Sequence, residues 1–516
     1  MRQENTKEYV VEMHDIVKTF SDKRANDEIS IGLRHGEIHA LLGENGAGKS
    51  TLMSVLFGIY RADSGRIIVR GKQVEITNPN VATELGIGMV HQHFKLVPTF
   101  TVTENIILGL EPTRGISLDI KKATEKIRQL SEKYGLDVDP NAKIENISVG
   151  MQQRVEIIKM LYRNAEILIF DEPTSVLTPM EIQELIKIMR SLIAEGKSIF
   201  LITHKLKEIK QIADVCTIIR LGKVIGTVDV QDTTEEEMAK MMVGHDVSLV
   251  VSKAEKEPGE PVLSVKALNV KNARGHMGLK NFSVTVHRGE IVGIAGVDGN
   301  GQAELVDAIT GLTKVEGGEI MLNGTSVLNM RISERIDKGL SHIPEDRQKR
   351  GLVLEFPIHD NAILGVQRKR PFSKRGLLDK NAITAHAQEI IAHYDVRTSN
   401  GEQSTAQSLS GGNQQKVIIG REIEKGSDLI IAVQPTRGLD VGSIEYVHKR
   451  IVALRDNNKA VLLVSLELDE VLQLSDRIIV LYSGESMGEL EAKKTDENEV
   501  GLLMAGIRKG GDPNGN

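Results

Sequence analysis

The chain is one module written twice, and that duplication limits its possible folds more than any other feature. GEIHALLGENGAGKS, Gly36–Ser50, answers to GEIVGIAGVDGNGQA, Gly289–Ala303, 253 residues later. ENIILG at 104–109 answers to DNAILG at 360–365, SVGMQQ at 148–153 to SGGNQQ at 410–415, and PTSVLT at 173–178 to PTRGLD at 435–440. At SGGNQQ the separation has grown to 262, so the second copy carries nine extra residues in its middle. Such self-similarity means one supersecondary plan used twice. A chain of 516 residues is in any case too long for a single core. The stretch SKAEKEPGEP, Ser252–Pro261, is charged, holds two prolines and lacks an apolar period, so it reads as a linker. The expected division is a first module at 1–247, a linker at 248–261, a second module at 262–510 and a flexible tail at 511–516.

Hydrophobic patterning places elements within each copy. GEIHALL reads as a strand, the glycine-rich run as a turn and STLMSVLFG as a helix. In DIKKATEKIRQLSEKYG the residues Ile120, Ala123, Ile127, Leu130 and Tyr134 share one helical face, and Gly135 is placed to cap the end. ILIF, 167–170, is a short buried strand delivering Asp171 and Glu172 to the carboxyl edge of a sheet, where open α/β sheets bind ligands. Strands alternating with helices imply an α/β fold with a mostly parallel sheet.

The first copy carries phosphate chemistry. In Gly43, Glu44, Asn45, Gly46, Ala47, Gly48, Lys49, Ser50 and Thr51 the glycines let backbone N–H groups approach a triphosphate closely. Lys49 can reach the β- and γ-phosphates, and the Ser50 hydroxyl can ligate Mg²⁺. Asp171 can hold Mg²⁺, and Glu172 can polarise an attacking water. In the second copy these positions read Gln302, Ala303, Val433 and Gln434. A unit charge about 4 Å from a phosphate charge is worth roughly 4 kcal/mol at an effective dielectric of 20, about a thousandfold in affinity. Gln302 cannot supply it, and Gln434 cannot take a proton from water.

Taken together, these motifs resemble the fused double ATPase subunit of an ABC importer over nearly the whole chain. The resemblance implies two tandem P-loop ABC ATPase modules, each with a mostly parallel sheet core, an antiparallel β subdomain and a helical subdomain. LSGGNQ, Leu409–Gln414, is similar to the family's LSGGQ signature, which closes on the γ-phosphate of the opposite module. Ser410, Gly411, Gly412, Asn413 and Gln414 are therefore expected to bind nucleotide, and they precede an apolar-periodic run, so they lie where a helix offers free N–H groups to an anion. The resemblance further assigns Gln92 to the Q-loop and to Mg²⁺, His204 to the switch that meets the γ-phosphate, Phe20 to stacking on adenine, and Asp440 to the D-loop. Glu345 and Leu466 replace the Q-loop and switch residues in the second copy, whereas the first copy has a weakened signature, SVGMQ, and Thr178 in place of the aspartate. The losses are partitioned. If the modules pack head to tail, the first P-loop with the second signature makes one complete hydrolytic site, and the other pairing is silent.

Composition fits this reading. The net charge of −6 argues against broad nucleic-acid binding. A single cysteine, Cys216, excludes an internal disulfide and reads as a structural thiol. The N-terminal MRQENTKEYV lacks the apolar segment of a signal peptide, and the longest apolar runs are strand-sized, so the chain is expected to be neither exported nor membrane-spanning. The resemblance then implies two separate membrane permease subunits, an extracytoplasmic solute-binding lipoprotein, a peripheral place on the cytoplasmic face, and room for a second copy of the chain on the permease pair. The cargo it implies is a nucleoside, with a monosaccharide of ribose or galactose type as the alternative. Soluble twin-ABC proteins acting on ribosomes form a third class, but those resemble two competent modules joined by a long basic linker. The basic runs RQKRG, 347–351, and QRKRPFSKRG, 367–376, read either as solvated faces or as contacts with anionic headgroups or a permease loop.

Overall fold

Ile38–Leu42 is buried at every position, as a central parallel strand covered on both faces must be. In the computed structural model, which describes residues 8–21, 23–91, 94–114, 117–174, 177, 179–244, 251, 253–439 and 441–508, this strand lies inside a six-stranded sheet. The order is Lys223–Asp229, Val215–Arg220, Ile38–Leu42, Ser198–Thr203, Ile167–Asp171, Ile87–Val90. All neighbours pair in parallel except the edge strand Lys223–Asp229. Thr203 lies opposite Leu42 and Ile202 opposite Asp171, so three strands end together at one carboxyl edge.

A second, antiparallel sheet orders Lys23–Arg34, Tyr9–Phe20, Ser64–Val69 and Lys72–Val74. The helix Lys49–Leu56 shares one core with both sheets: Leu52 and Met53 join Leu41, Ile169 and Phe200 on one side and Val11 and Ile29 on the other, all buried. Cys216 belongs to the buried interior, and burial pushes its thiol up to about 12, which leaves it unreactive. A helical layer of Val102–Ile107, Ile120–Tyr134 and Val149–Tyr162 follows in the chain. Ala123, Ile127 and Tyr134 are buried there and Gly135 caps the helix in the left-handed conformation, but Ile120 is exposed, because it is the first residue after the Asp119 N-cap and projects beyond the packed turns.

The chain divides into two compact units, 1–247 and 248–516. The second repeats the plan: a six-stranded sheet of Leu340–Ile343, Leu429–Val433, Ala460–Val464, Ile291–Ala295, Arg477–Tyr482 and Glu485–Glu491, and an antiparallel sheet led by Met277–His287 and Pro261–Lys271. The segment read as a linker is fastened to this unit. Lys253 donates to the carbonyls of Leu474 (2.9 Å) and Ser475 (2.5 Å), and Lys256 to those of Arg455 (3.1 Å) and Asp456 (2.7 Å). Both lysines thus satisfy the open carbonyls of helix C-termini, where a positive charge is favoured. The tail 511–516 lies outside the described residues. Among the described residues no helix is long and apolar enough to cross a membrane.

Candidate nucleotide site

Turning from Ile38–Leu42 into the helix Lys49–Leu56 requires a backbone that only glycine takes easily. Gly46 and Gly48 have φ of +79° and +105°. A Cβ on Gly48 would come within 2.2 Å of the Ala25 carbonyl oxygen, so the loop is held against the antiparallel sheet by the lack of a side chain. Asn26 is fully buried and its Nδ2 donates to the Gly48 carbonyl at 2.9 Å, and the Gly222 N–H donates to the Ala47 carbonyl at 3.1 Å. Asn45, Gly46 and Ser50 face solvent, Glu44 and Thr51 are half-buried, and Lys49 is buried. The Lys49 ammonium donates to the carbonyls of Gly43 (2.6 Å) and Glu44 (3.0 Å), curled over the loop's mouth. Burial pushes it below its ordinary value, opposed by Glu172, Asp171 and Glu44.

The sheet register delivers the acids. Ser50 Oγ donates to Asp171 Oδ1 at 3.0 Å, which joins the loop to the strand end. Burial raises the Asp171 carboxyl, helped by the charge of Glu172 and opposed by Ser50 and Lys49. Glu172 has φ +46°, a conformation costly for a side-chain-bearing residue, and it turns toward His204, whose Nδ1 lies 3.1 Å from Glu172 Oε1. Burial opposes ionisation of Glu172, but the His204 contact together with Lys49 and Lys205 holds it below the usual carboxylate range. A charged carboxylate oriented by an imidazole can accept a proton from water. The first unit therefore gathers Gly43–Thr51, Asp171, Glu172 and His204 at one edge. Phe20 ends its strand with 41 % of its surface exposed, edge-on to Tyr60 at 5.0 Å between ring centroids. Gln92 lies outside the described residues.

In the second unit Ser410 caps the helix Gly411–Glu424. Its Oγ accepts from the Asn413 N–H (3.4 Å) and from Asn413 Nδ2 (2.9 Å), while Asn413 Oδ1 accepts from the Arg397 N–H at 2.9 Å. This fixes an exposed hydroxyl and the first-turn N–H groups of Gly411 and Gly412 on one face. Gln414 departs from its expected role. It is buried, with Nε2 donating to the Ala406 carbonyl at 3.0 Å, because the fourth residue after the cap points back into the body of the unit. It positions the signature rather than presenting itself to a ligand. Asp440 lies outside the described residues.

Residues without an assigned role in the sequence also shape the sites. Gln153 donates to the Pro173 carbonyl at 2.7 Å and Gln415 to the Pro435 carbonyl at 2.8 Å, tying each signature helix to the turn after the strand that ends at Asp171 or at Val433. The repeated QQ dipeptide was the signal. Arg347 crosses from Glu345's turn to the signature: Nη1 donates to the Arg437 carbonyl at 3.0 Å, and a Cβ on Gly411 would lie 3.1 Å from Nη2. Asn26 had no sequence signal, since it lies 22 residues from the loop it braces.

A P-loop with a paired acidic strand end defines a nucleoside-triphosphate-hydrolysing class of protein. The family described as ABC transporter matches residues 26–175 and again 279–437, and the chain belongs to it, as an ATP-binding subunit with two tandem ATPase modules. It is 55 % identical over 97 % of its length to the nucleoside import ATP-binding protein NupA of Lactococcus lactis subsp. cremoris, 98 % of which is covered. It is 54 % identical over 98 % to the guanosine import ATP-binding protein NupO of Bacillus subtilis, covered in full. The ribose import ATP-binding protein RbsA of Corynebacterium glutamicum is 38 % identical, with 96 % of this chain and 93 % of that one covered. Among solved structures, the archaeal ribosome recycling factor aABCE1, in complex with the ribosomal stalk protein aP1, aligns with a TM-score of 0.60 over 91 % of this chain and 88 % of that one. At 19 % identity, it shares the fold alone.

Proposed function

We propose that this chain is the ATP-hydrolysing subunit that drives import of nucleosides through separate permease subunits, with one hydrolytic site per chain. The carrying observation is the intact set of Lys49, Ser50, Asp171, Glu172 and His204 in one module, against Gln302, Ala303, Val433, Gln434 and Leu466 in the other. Lys49 binds the β- and γ-phosphates, and the loop N–H groups cradle them. Glu172 orients the attacking water and takes its proton, and His204 holds that carboxylate in place. Ser50 and Asp171 offer hard oxygens 3.0 Å apart, a donor set that fits Mg²⁺, with Gln92 as a further ligand; when bound, the ion neutralises phosphate charge. In the second module, Ser410, Gly411, Gly412 and Asp440 are assigned to nucleotide by their resemblance to the family's signature and D-loop.

The nucleoside cargo rests on the two relatives at 54–55 % identity, whose names specify nucleosides and guanosine, against 38 % for the ribose relative. A groove of about 240 Å³ in the first unit, lined among others by Phe57, Met89, His91, Lys95, Lys159 and Arg163, supports a permease contact there. A solute-binding lipoprotein outside the cell and a peripheral position on the cytoplasmic face complete the assembly. The test is the number of ATP molecules occluded per chain in Glu172→Gln. One supports the single composite site, and two of equal affinity would overturn it. Nucleoside-dependent ATPase activity of the reconstituted permease complex tests the cargo.

A further inference from the structure

The second unit carries a cationic hairpin that the first does not. Between the matching Leu-Gly pairs (108–109 and 364–365) and the matching hairpins, the first copy spends three residues and the second seven, and the surplus brings Arg368, Lys369 and Arg370. Two short strands follow, Ser373–Lys374 and Leu377–Leu378, paired Lys374 to Leu377. The two-residue loop between them, Arg375 and Gly376, has φ of +54° and +84°, the left-handed pair that makes a tight hairpin.

The hairpin is rooted and its tip is bare. Phe372 is buried with Ile363, Val366 and Ile383 in a small separate core, and its ring meets His386 at 4.9 Å. Beyond that root, Leu377 is 77 % and Leu378 56 % exposed, on strands too short to bury them. Lys369 pairs with Asp337 at 2.7 Å, but among the described residues Arg368, Arg370, Lys374 and Arg375 have no carboxylate partner and all four are exposed. On a chain of net charge −6, four unpaired cations around two exposed leucines form a local patch of the opposite sign.

We propose that this hairpin is a lipid anchor: its leucines enter the interface of a membrane with anionic headgroups, and the surrounding arginines and lysines contact the headgroups. Cations flanking exposed apolar side chains are the combination that binds such interfaces, since charge attracts and apolar burial retains. The anchor extends the importer reading, because it would orient the subunit on the same surface that holds its permease. It does not need the permease.

The experiment is sedimentation of the full chain with vesicles of phosphatidylcholine alone or mixed with phosphatidylglycerol, at low and high salt. Each Lys or Arg near such a surface contributes about fivefold in partition. Binding to the mixed vesicles only, reversed by salt, is expected, with a loss of about a hundredfold in Arg368→Gln/Arg370→Gln/Lys374→Gln. Leu377→Ser/Leu378→Ser should weaken binding with little change in its salt dependence. Thermal unfolding of the second module, unchanged in every variant, checks folding. Equal sedimentation of wild type and variants, or none with the mixed vesicles, overturns the anchor. Variants that lose detergent-purified permease while wild type ignores vesicles would assign the patch to a protein contact and overturn it equally. Failure of wild type to co-purify with a permease would instead count against the importer reading, whatever the vesicles show.

Discussion

The two glycine-rich loops have nearly the same backbone and opposite interiors. Gly48 and Gly301, at φ +105° and +110°, each start a helix, and the N–H groups of Gly222 and Gly484 donate to the same point of each loop at 3.1 Å. In the first, the Lys49 ammonium donates to the Gly43 and Glu44 carbonyls and takes up none of the loop's N–H groups. In the second, Gln302 donates from Nε2 to the Val297 carbonyl at 3.0 Å and accepts at Oε1 from the Asn300 N–H at 3.1 Å. One substitution removes a charge and turns the replacing amide back onto its own loop. Even the strained turn persists, with Gln434 at φ +44° beside Glu172 at +46°. The geometry of a nucleotide site can thus outlive its chemistry, because the same turns also carry the packing of the domain.

The same contrast extends to the layer behind the loops. Where the first unit has its groove at Lys159, Met160 and Arg163, the aligned residues of the second pack a buried ion cluster, Arg421 to Glu422 at 2.8 Å and Lys425 to Glu422 at 2.7 Å. Ser341 donates to the Glu422 carbonyl at 2.8 Å, and half-buried His342 donates its backbone N–H to Glu422 Oε2 at 3.2 Å.

Replacing Glu172 by Gln is expected to lower steady-state ATP hydrolysis by about a hundredfold to ten-thousandfold, while Gln434→Glu should add nothing, since Ala303 and Val433 still lack the neighbouring oxygens. A gain from Gln434→Glu in a phosphate-release assay would break the comparison. Lys49→Ala should weaken ATP binding by about a thousandfold in equilibrium dialysis, whereas Gln302→Ala leaves the high-affinity stoichiometry unchanged. For stability the copies should be equal: Leu52→Ala and Leu305→Ala, both in fully buried helix positions, should each cost about 2–5 kcal/mol by denaturant unfolding of the affected module.

A pH titration sharpens the difference in the buried layer. Burial drives His342 down from its ordinary 6.5 to about 4, against the attraction of Glu422 and Asp307 and with Arg350 and Lys425 adding to the effect. Between those values the unfolded chain binds the extra proton, so stability falls as pH drops from 6.5 toward 4, by about 3 kcal/mol in total. Thermal unfolding of the second module should show this slope, and His342→Gln should flatten it. The smallest effect is expected for Asn26→Ala, about 1–3 kcal/mol from the unpaired Gly48 carbonyl, with ATP affinity falling alongside.

Part of the site was legible in local spacing alone. Glycine spacing and the apolar run 167–170 announced the loop and the strand, since both depend on local backbone limits and burial periodicity. The substitution at Gln302 announced a lost charge, but not that its amide would turn inward and cap Asn300. Ile120 matched the apolar period and is nonetheless exposed, because a period cannot say where the packed surface ends. Gln414 fitted the signature by position, yet its burial depends on the turn at Ala406, eight residues earlier.

The sequence by itself determined the duplication, the α/β alternation, the identity of the phosphate-binding loop and which copy kept its ionisable groups, because each is written in local spacing or in the presence of a functional group. Only the tertiary structure decided that Ser50 meets Asp171 across 121 residues, that Asn26 braces Gly48, that Glu172 turns to His204, and that the linker lysines close helix ends in the second unit. Those contacts depend on sheet register and on which helix end lies within reach, and neither is encoded in any stretch of sequence taken alone.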